Sequence, residues 1–569
     1  MNKFLMSVET VKIKDFIFST NKLKLIRGAS YLLDYLNQKE VPEILERYDI
    51  KDKEIIYVGA GNAKFFVDSK EKAENIAKDI KRIYKVKAPN AKIAIVYREI
   101  DNKAGEKVWD SLDRLAEEIA IEKSKGFSIL NIDLPFVKKC PLCEKNPAVV
   151  SIENLRADLE KLKIIGDKNP TEEIYREEVE IGQLKEQIEK LTSGNGYICE
   201  ECLKKLIYSN NIKIKDSEVK NERARDIGFY QMVDREFSKL KFDGKKINLD
   251  FEKKIDDYAG EKSFIGFMYS DGDGLGDFLK NISKKYKNKS EEDYLKFMGE
   301  FSKKLDKNTK EALLEVLIEK KDLLLKGKKN SVGEFLIVGG DDVCAIFNSK
   351  YVLEISKEFQ KKFEEKMEKY TTAKGIDNRI TSSSGVVLAK AKVPAYHLFD
   401  QALTLQKSAK AKRHKANFPK TGYIDFQVIG SEGCVDIKTF RKKISPKEDR
   451  EKNIKENKTI ERPYSIVKEE GTKEFQSLID IIKKLKKNNF PKTKLRYLYD
   501  LKRNENLEEF EKKMEFINIL SKMSAEQIET IKKIDKKIES NYTNYNEFNS
   551  YFENIFDILE IYDFVGGED

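Results

Sequence analysis

Histidine is nearly missing from this sequence. Two occur in 569 residues, His397 and His414, which excludes chemistry built on histidine clusters. Long apolar runs are missing as well: no stretch approaches the roughly 20 apolar residues of a membrane-spanning helix. The opening MNKFLMSVETVKIKDF places Glu9 and Lys12 where the apolar core of a secretory signal would continue. A soluble, cytoplasmic protein with no membrane partner is expected. Cysteine is scarce, and six in a chain of this length are no disulfide framework. A large excess of one charge is also lacking. Charged residues make up 37% of the chain, yet the net charge is only +10, which permits nucleic-acid or nucleotide partners without requiring them. What is present, 40% hydrophobic and 10% aromatic residues, supports packed cores rather than disorder. The length calls for several of them.

The first ~125 residues alternate strand and helix signals. FLMSVET reads as a strand, FIFSTNKLKLIRGASYLLDYLNQ has helical spacing, and EIIYVGAG with AKFFVDS forms a hairpin. A helix, the strand AKIAIVYREI and the helix of AGEKVWDSLDRLAEEIAIEK follow. The order is βαββαβ, the ferredoxin-like pattern. It recurs later: the strand FIGFMYSDGD, a helical stretch from Leu275 to Leu325, the hairpin GEFLIVGG–VCAIFNS, a helix, the strand SSSGVVLAKAKV, a helix and a closing strand GYIDFQVI. The expected class is α+β, with two ferredoxin-like units at residues 1–125 and 241–435. A helical linker with the paired cysteines fills 126–240, with a break at Gly166–Pro170. A helical region without strands fills 436–569.

The second hairpin carries Gly339-Gly340-Asp341-Asp342 between apolar runs. Adjacent carboxylates repel, and partial burial sharpens the repulsion. A divalent cation relieves it. The strand that lies beside this hairpin in a ferredoxin-like sheet ends in Ser270-Asp271-Gly272-Asp273, so Asp271 is expected to face Asp341 and Asp342. Asp271, Asp273, Asp341 and Asp342 thus form a candidate oxygen-rich site for Mg²⁺ or Mn²⁺ carrying a triphosphate. Asp273 alternatively caps the following helix. Gly274-Leu275-Gly276 opens that helix, whose free N–H groups suit phosphate oxygens. Cys140, Cys143, Cys199 and Cys202 have the spacing of a four-thiolate structural Zn²⁺ site, which leaves no open position for water. A redox pair is the alternative, without a thioredoxin-like context. Cys344 and Cys434 stand singly in strand-like runs, where a small buried side chain fits.

The GGDD hairpin, the acid-ended strand and the paired CxxC together resemble the large subunit of type III CRISPR effector complexes, the CRISPR polymerase family. Its members have two palm domains related to nucleotide cyclases, one of which has lost the GGDD hairpin. Gly59-Ala60-Gly61-Asn62 stands at that lost position, and FIFSTNKLKLIRGASYLLD and SSGVVLAKAKVP look like family segments. The resemblance covers nearly the whole chain. It implies conversion of ATP into cyclic oligoadenylate, or a related adenylate conjugate, when target RNA binds. Asp271, Asp341 and Asp342 are then the catalytic carboxylates, with Gly339 and Gly340 at the nucleotide. Lys407 sits where related cyclases place a phosphate-binding lysine; otherwise it is a solvated lysine on a basic helix. Ser19, Thr20 and Asn62 are candidates to hold a second ATP in the first palm. Guide RNA with target RNA, a small helical subunit and a guide-end-binding subunit are the implied partners. Many members begin with an HD nuclease domain. Here the palm pattern starts within the first ten residues and neither histidine precedes an aspartate, so DNA cutting is not expected. Ile481 to Asn504, basic with interleaved aromatics, reads as a contact for RNA backbone or a partner subunit, or as a solvated surface. A stand-alone cyclase and a non-catalytic scaffold subunit are the competing functions.

Overall fold

FLMSVETV forms β1 (Phe4–Val11), and it is covered on both faces: Leu5, Met6, Ser7 and Val8 are all buried. That places it at the centre of a sheet. The computed structural model describes residues 3–59, 61–100, 107–125, 137–155, 157–158, 181–194, 196–209, 228–250, 254–286, 290–326, 330–376, 379–415, 421–430, 436–444, 459–468, 472–504, 506–534 and 553–566. β2 (Ile55–Gly59), β3 (Asn62–Val67) and β4 (Lys92–Glu99) complete an antiparallel sheet in the order β2-β3-β1-β4. Two short pairs follow, β5 (Val150–Ser151) with β6 (Tyr197–Ile198) and β7 (Lys241–Phe242) with β8 (Lys245–Lys246). The second large sheet runs β10-β11-β9-β12-β13-β14. Its members are β9 (Phe264–Asp273), β10 (Glu334–Gly339), β11 (Asp342–Asn348), β12 (Thr381–Lys390), β13 (Tyr423–Ile429) and β14 (Tyr464–Ser465).

The first four strands of each large sheet have the same connectivity and order, so the chain holds two copies of one βαββαβ core. The register repeats too. β2 and β3 slip by one residue between Ile55 and Tyr57, and β10 and β11 slip between Phe335 and Ile337. Counted back from the hairpin glycines Gly59 and Gly339, these are equivalent positions. Such bulges bend and twist a hairpin, and the two hairpins bend alike.

The copies pack reciprocally. The Leu23–Tyr35 helix of the first lies on β10 of the second, and the Glu291–Glu319 helix of the second lies on β2 of the first. A Cβ at Gly299 would stand 2.8 Å from the Ile56 carbonyl oxygen, which measures how closely that helix approaches. At the other crossing Arg27 and Glu334 form a buried ion pair, Arg27 Nε donating to Glu334 Oε1 at 2.7 Å. Tyr230 and Tyr258 hydroxyls donate to the same carboxylate at 2.8 and 3.1 Å. The Ser30 hydroxyl donates to the Leu336 carbonyl at 2.6 Å.

Two expectations change. FIFSTNKLKLIRGASYLLDYLNQ is broken into the helices Ile13–Ile17 and Leu23–Tyr35, with the Thr20 hydroxyl accepting the Lys22 N–H in the turn between them. The C-terminal region is not free of strand: Tyr464–Ser465 pairs with β13, supplying backbone partners to what would otherwise be an open sheet edge. Its helices Phe475–Lys487, Lys492–Arg503, Glu509–Ser521 and Ile555–Ile561 are as expected in kind. In the basic stretch, Lys492 pairs with Asp563 and Lys486 donates to the Val565 carbonyl, while Tyr497 stays exposed. Cys434 and the Gly166–Pro170 break lie outside the described residues. No described helix is long and apolar enough to cross a membrane.

Removing one partner of a buried pair strands the other charge, at a cost of about 3–5 kcal/mol. Arg27→Met should therefore lower the midpoint of thermal unfolding sharply, and a melt unchanged from wild type would contradict the role given to this pair. A second prediction concerns pH. Burial pushes the Glu364 carboxyl up to about 8 against hydrogen bonds from the Gly422 N–H and the Thr421 hydroxyl. The folded chain thus keeps a proton that the unfolded chain releases. This contribution is complete below the ordinary glutamate range and is lost as pH rises through about 8. Glu364→Gln should flatten that part of the stability–pH curve, read by melts across the interval.

Candidate active site

The GGDD hairpin is pinned from behind. Gly340, with φ 62°, turns the chain between β10 and β11. Its N–H donates to Asp306 Oδ1 at 2.9 Å, and its carbonyl accepts the Thr309 hydroxyl at 2.6 Å. Lys310 pairs with the same Asp306 at 2.7 Å. All three residues come from the Glu291–Glu319 helix. Val343 pairs with Ser270, so one step further along the strands Asp342 comes beside Asp271. A Cβ at Gly272 would lie 2.8 Å from both Cβ and Oδ2 of Asp341. The glycine between the two β9 aspartates is the space into which the Asp341 carboxylate folds.

Three carboxylates therefore converge. Burial, then the Asp271 and Asp342 charges, push the Asp341 carboxyl well above the usual carboxylate range, and it lies within hydrogen-bond reach of Asp271. Burial and Asp271 also raise Asp342, while Lys14, Tyr269 and Lys410 pull it back. Lys410 Nζ donates to Asp271 Oδ2 at 2.6 Å and to the Gly272 carbonyl at 2.8 Å, and Gln406 Nε2 reaches Asp271 Oδ2 at 3.3 Å. The Tyr269 hydroxyl donates to Asp342 Oδ1 at 2.5 Å. Negative charge exceeds its local compensation, and a donor set of carboxylates suits a hard cation.

Other expected residues are placed differently. Asp273 is buried, its Oδ2 accepting the Ser383 hydroxyl at 2.7 Å and the Thr381 hydroxyl at 3.1 Å, with Arg413 Nε at 3.7 Å. It belongs to the hydroxyl ladder between β9 and β12, which holds its Oδ2. Its Oδ1, 3.9 Å from Lys410 Nζ, makes no hydrogen bond. Lys407 is exposed on the Ala395–Lys415 helix; rotation along the helix gives the carboxylate contact to Lys410 instead. Gln406, Lys410 and Arg413, spaced i, i+4, i+7, share the face toward the acids, a spacing visible in the sequence. Gly274, with φ 75°, precedes the Leu275–Tyr286 helix, and a Cβ at Gly276 would meet nothing within 4 Å. A Cβ at Gly339 would stand 3.3 Å from Asp306 Oδ1. Ser19 and Thr20 are committed elsewhere: Ser19 donates to Glu201 Oε1 at 2.9 Å and accepts from Lys205 at 2.6 Å, and Thr20 donates to the Leu142 carbonyl at 2.6 Å. Both hold the cysteine region against the first sheet, a use that cannot be read from sequence distance.

The first sheet keeps the frame and changes the chemistry. Gly59 pairs with Asn62 as Gly339 pairs with Asp342. Glu9 pairs with Asn62 and stands where Asp271 stands. Lys64, at 3.7 Å, and Lys123 both pair with Glu9. A single carboxylate there meets two lysines.

A family model described as Cas10/Cmr2, second palm domain, matches residues 264–418, and one described as Csm1 subunit domain B matches residues 3–136. The chain belongs to the Cas10/Csm1 family of type III CRISPR large subunits. The second-palm match runs from β9 through Lys410, so every residue of the acidic grouping lies in it. A crystal structure of a Csm1–Csm4 cassette in complex with pppApApA is similar in fold, with TM-score 0.52 and 12% identity over 98% of this chain and 69% of that one. Cassettes in complex with cA4 and with AMPPNP give TM-scores of 0.43 and 0.42 at 14% identity, over 74% of this chain. The chain spans about half, 54%, of the Csm1 chains in those two structures. No curated protein matches it.

Between the palms, the ligand atoms of Cys140, Cys143, Cys199 and Cys202 all lie within 4.8 Å of one another, and all four residues are buried. Among the described residues no carboxylate group meets that spacing. Zn–S bonds of about 2.3 Å place tetrahedral sulfurs about 3.8 Å apart; Cys143 and Cys199 sulfurs are 3.7 Å apart. The residues fit zinc. β5 and β6 bring the two knuckles together, and the Glu200–Tyr208 helix starts inside the second. That helix packs on Leu23–Tyr35 so closely that a Cβ at Gly28 would stand 1.8 Å from the Lys205 carbonyl oxygen. Metal analysis of the reduced protein should find one zinc per chain, and Cys199→Ser should lose it together with thermal stability. Zinc-free wild-type protein with an unchanged melt would refute the assignment.

Proposed function

We propose that this chain is a metal-dependent nucleotidyltransferase. It joins ATP into cyclic oligoadenylate, or a related adenylate messenger, inside a type III CRISPR complex. The observation that carries this reading is the convergence of Asp271, Asp341 and Asp342 in the second palm, set against Glu9 and Asn62 in the first. Two features support it further: family membership, and the pppApApA in complex with the Csm1–Csm4 cassette of similar fold. In the reaction a 3′-oxygen attacks the α-phosphorus of ATP. The bond to the bridging oxygen breaks and pyrophosphate leaves with its electrons. Mg²⁺ or Mn²⁺ at the carboxylates would acidify the hydroxyl and offset the charge on the phosphates. Asp271 and Asp341 would hold the cations, and Asp342 would be a further ligand or take the hydroxyl proton. Lys410, now bonded to Asp271, would neutralise triphosphate charge. The N–H groups opening at Gly274, Leu275 and Gly276 receive phosphate oxygens. Asp273 serves the sheet, and zinc serves structure. Guide RNA with target RNA, a small helical subunit and a Csm4-like guide-end subunit are the proposed partners, with RNA as the activator.

The test is incubation of the purified protein with labelled ATP and Mg²⁺ or Mn²⁺, with and without partner subunits and guide–target RNA. Adenylate product should form and should fall by at least about 100-fold in the Asp341→Ala/Asp342→Ala variant, in the range expected when essential charge stabilisation is removed. No product under any condition would remove the enzyme reading and leave a scaffold subunit. Product independent of RNA would make the chain a stand-alone cyclase.

A further inference from the structure

Lys14 belongs to the first palm, on the Ile13–Ile17 helix, yet it ends in the second. Phe18 of the same segment stacks on Phe399, with ring centroids 4.7 Å apart, and Phe399 meets Tyr269 edge-on at 5.4 Å. This aromatic wedge carries Lys14 Nζ to 4.1 Å from the centre of the Tyr269 ring and 5.4 Å from that of Phe399. There the ammonium also donates to the Tyr269 hydroxyl oxygen. An ammonium has only donors, and a phenol has one proton. With its oxygen accepting from Lys14, the Tyr269 proton has one direction left, toward Asp342 Oδ1 at 2.5 Å. The direction of each bond in the chain Lys14–Tyr269–Asp342 is therefore fixed. Tyr269 adjoins Ser270 and Asp271 on β9, and Asp342 opens β11, so the relay spans the two strands that bear the acids.

We propose that Lys14 is a positioning residue for the nucleotidyl-transfer site. By holding Tyr269 as an obligatory donor to Asp342 Oδ1, it fixes the carboxylate's rotation and keeps Oδ2, the oxygen outside that bond, for the cation or the substrate proton. This rests on the reading of Asp271, Asp341 and Asp342 as a cation site. Lys14 touches no reacting atom; its hydrogen bond reaches Asp342 through Tyr269. Because the bond crosses between the palms, the geometry of the acidic site depends on how the two palms dock.

The test is Mn²⁺ binding to the full-length, nucleotide-free protein, read from the free-ion EPR signal during titration. Outer partners of metal ligands are generally worth about 10–100-fold in affinity or activity. Lys14→Met and Tyr269→Phe should each weaken Mn²⁺ binding by about 10-fold or more. Lys14→Met in the Tyr269→Phe background should add little, because the two act in series. Lys14→Arg, which keeps a cationic donor, should recover most of the affinity. Lys14→Gln replaces Lys14→Met if the latter melts early. Wild-type affinity in Lys14→Met or Lys14→Gln, or additive losses in the double variant, would overturn the positioning role while leaving the cation site intact. Equal Mn²⁺ binding by wild type and Asp341→Ala/Asp342→Ala would instead overturn the cation site itself.

Discussion

Glu334 lies at the start of β10 with only 1% of its side chain exposed, and its charge has to be met inside the protein. Arg27, Tyr230 and Tyr258 meet it. A charge so buried tolerates no loose partner, and that requirement fixes much else. Arg27 holds the Leu23–Tyr35 helix on β10. Its neighbour Gly28 is the point where the cysteine-bearing helix Glu200–Tyr208 docks. β10 runs from Glu334 to Gly339, next to the two aspartates. The zinc-type cluster, the first palm and the acidic hairpin are thus registered through one ion pair. The Glu291–Glu319 helix closes the reciprocal contact on β2 and, along its length, supplies Asp306 and Thr309 to the turn at Gly340.

The duplication separates frame from chemistry. Both palms share strand order, hairpin pairing and the same bulge, so neither the fold nor the turn distinguishes them. Charge does. In the first palm Glu9 is matched by Lys64 and Lys123, and Asn62 brings no charge. In the second, Lys410 pairs with Asp271 and its charge reaches Asp342, with Lys14 bonded to Asp342 through Tyr269. In both palms a lysine on the helix that follows the βαββαβ unit, Lys123 or Lys410, pairs with the first-strand acid. The same ion pair stands beside a second lysine in the first palm and beside two further carboxylates in the second.

Short-range signals made much of this legible. GGDD, the acid-ended strand and both CxxC pairs are local in sequence, and strand–helix alternation gave the two βαββαβ units with their corresponding hairpins. What stayed hidden depends on contacts across hundreds of residues or on helix rotation. Arg27 with Glu334, Lys14 with Tyr269 and Ser19 with Glu201 leave no periodic trace. Lys407 and Lys410 lie one helical turn apart, and only packing decides which faces the acids. Asp273 has the same residue type and strand face as Asp271, but the hydroxyls of Thr381 and Ser383 on β12 claim it. The two residues of β14 are too few to give a pattern.

The central claim is that the second palm holds divalent cations at Asp271, Asp341 and Asp342 and that the matching position in the first does not. Anomalous diffraction from crystals grown with Mn²⁺ and a non-hydrolysable ATP analogue tests it most directly. The account predicts manganese peaks within coordination distance of those three carboxylates and none at Glu9 and Asn62. Peaks at Glu9, or an acidic hairpin without manganese while the analogue is bound, would contradict it.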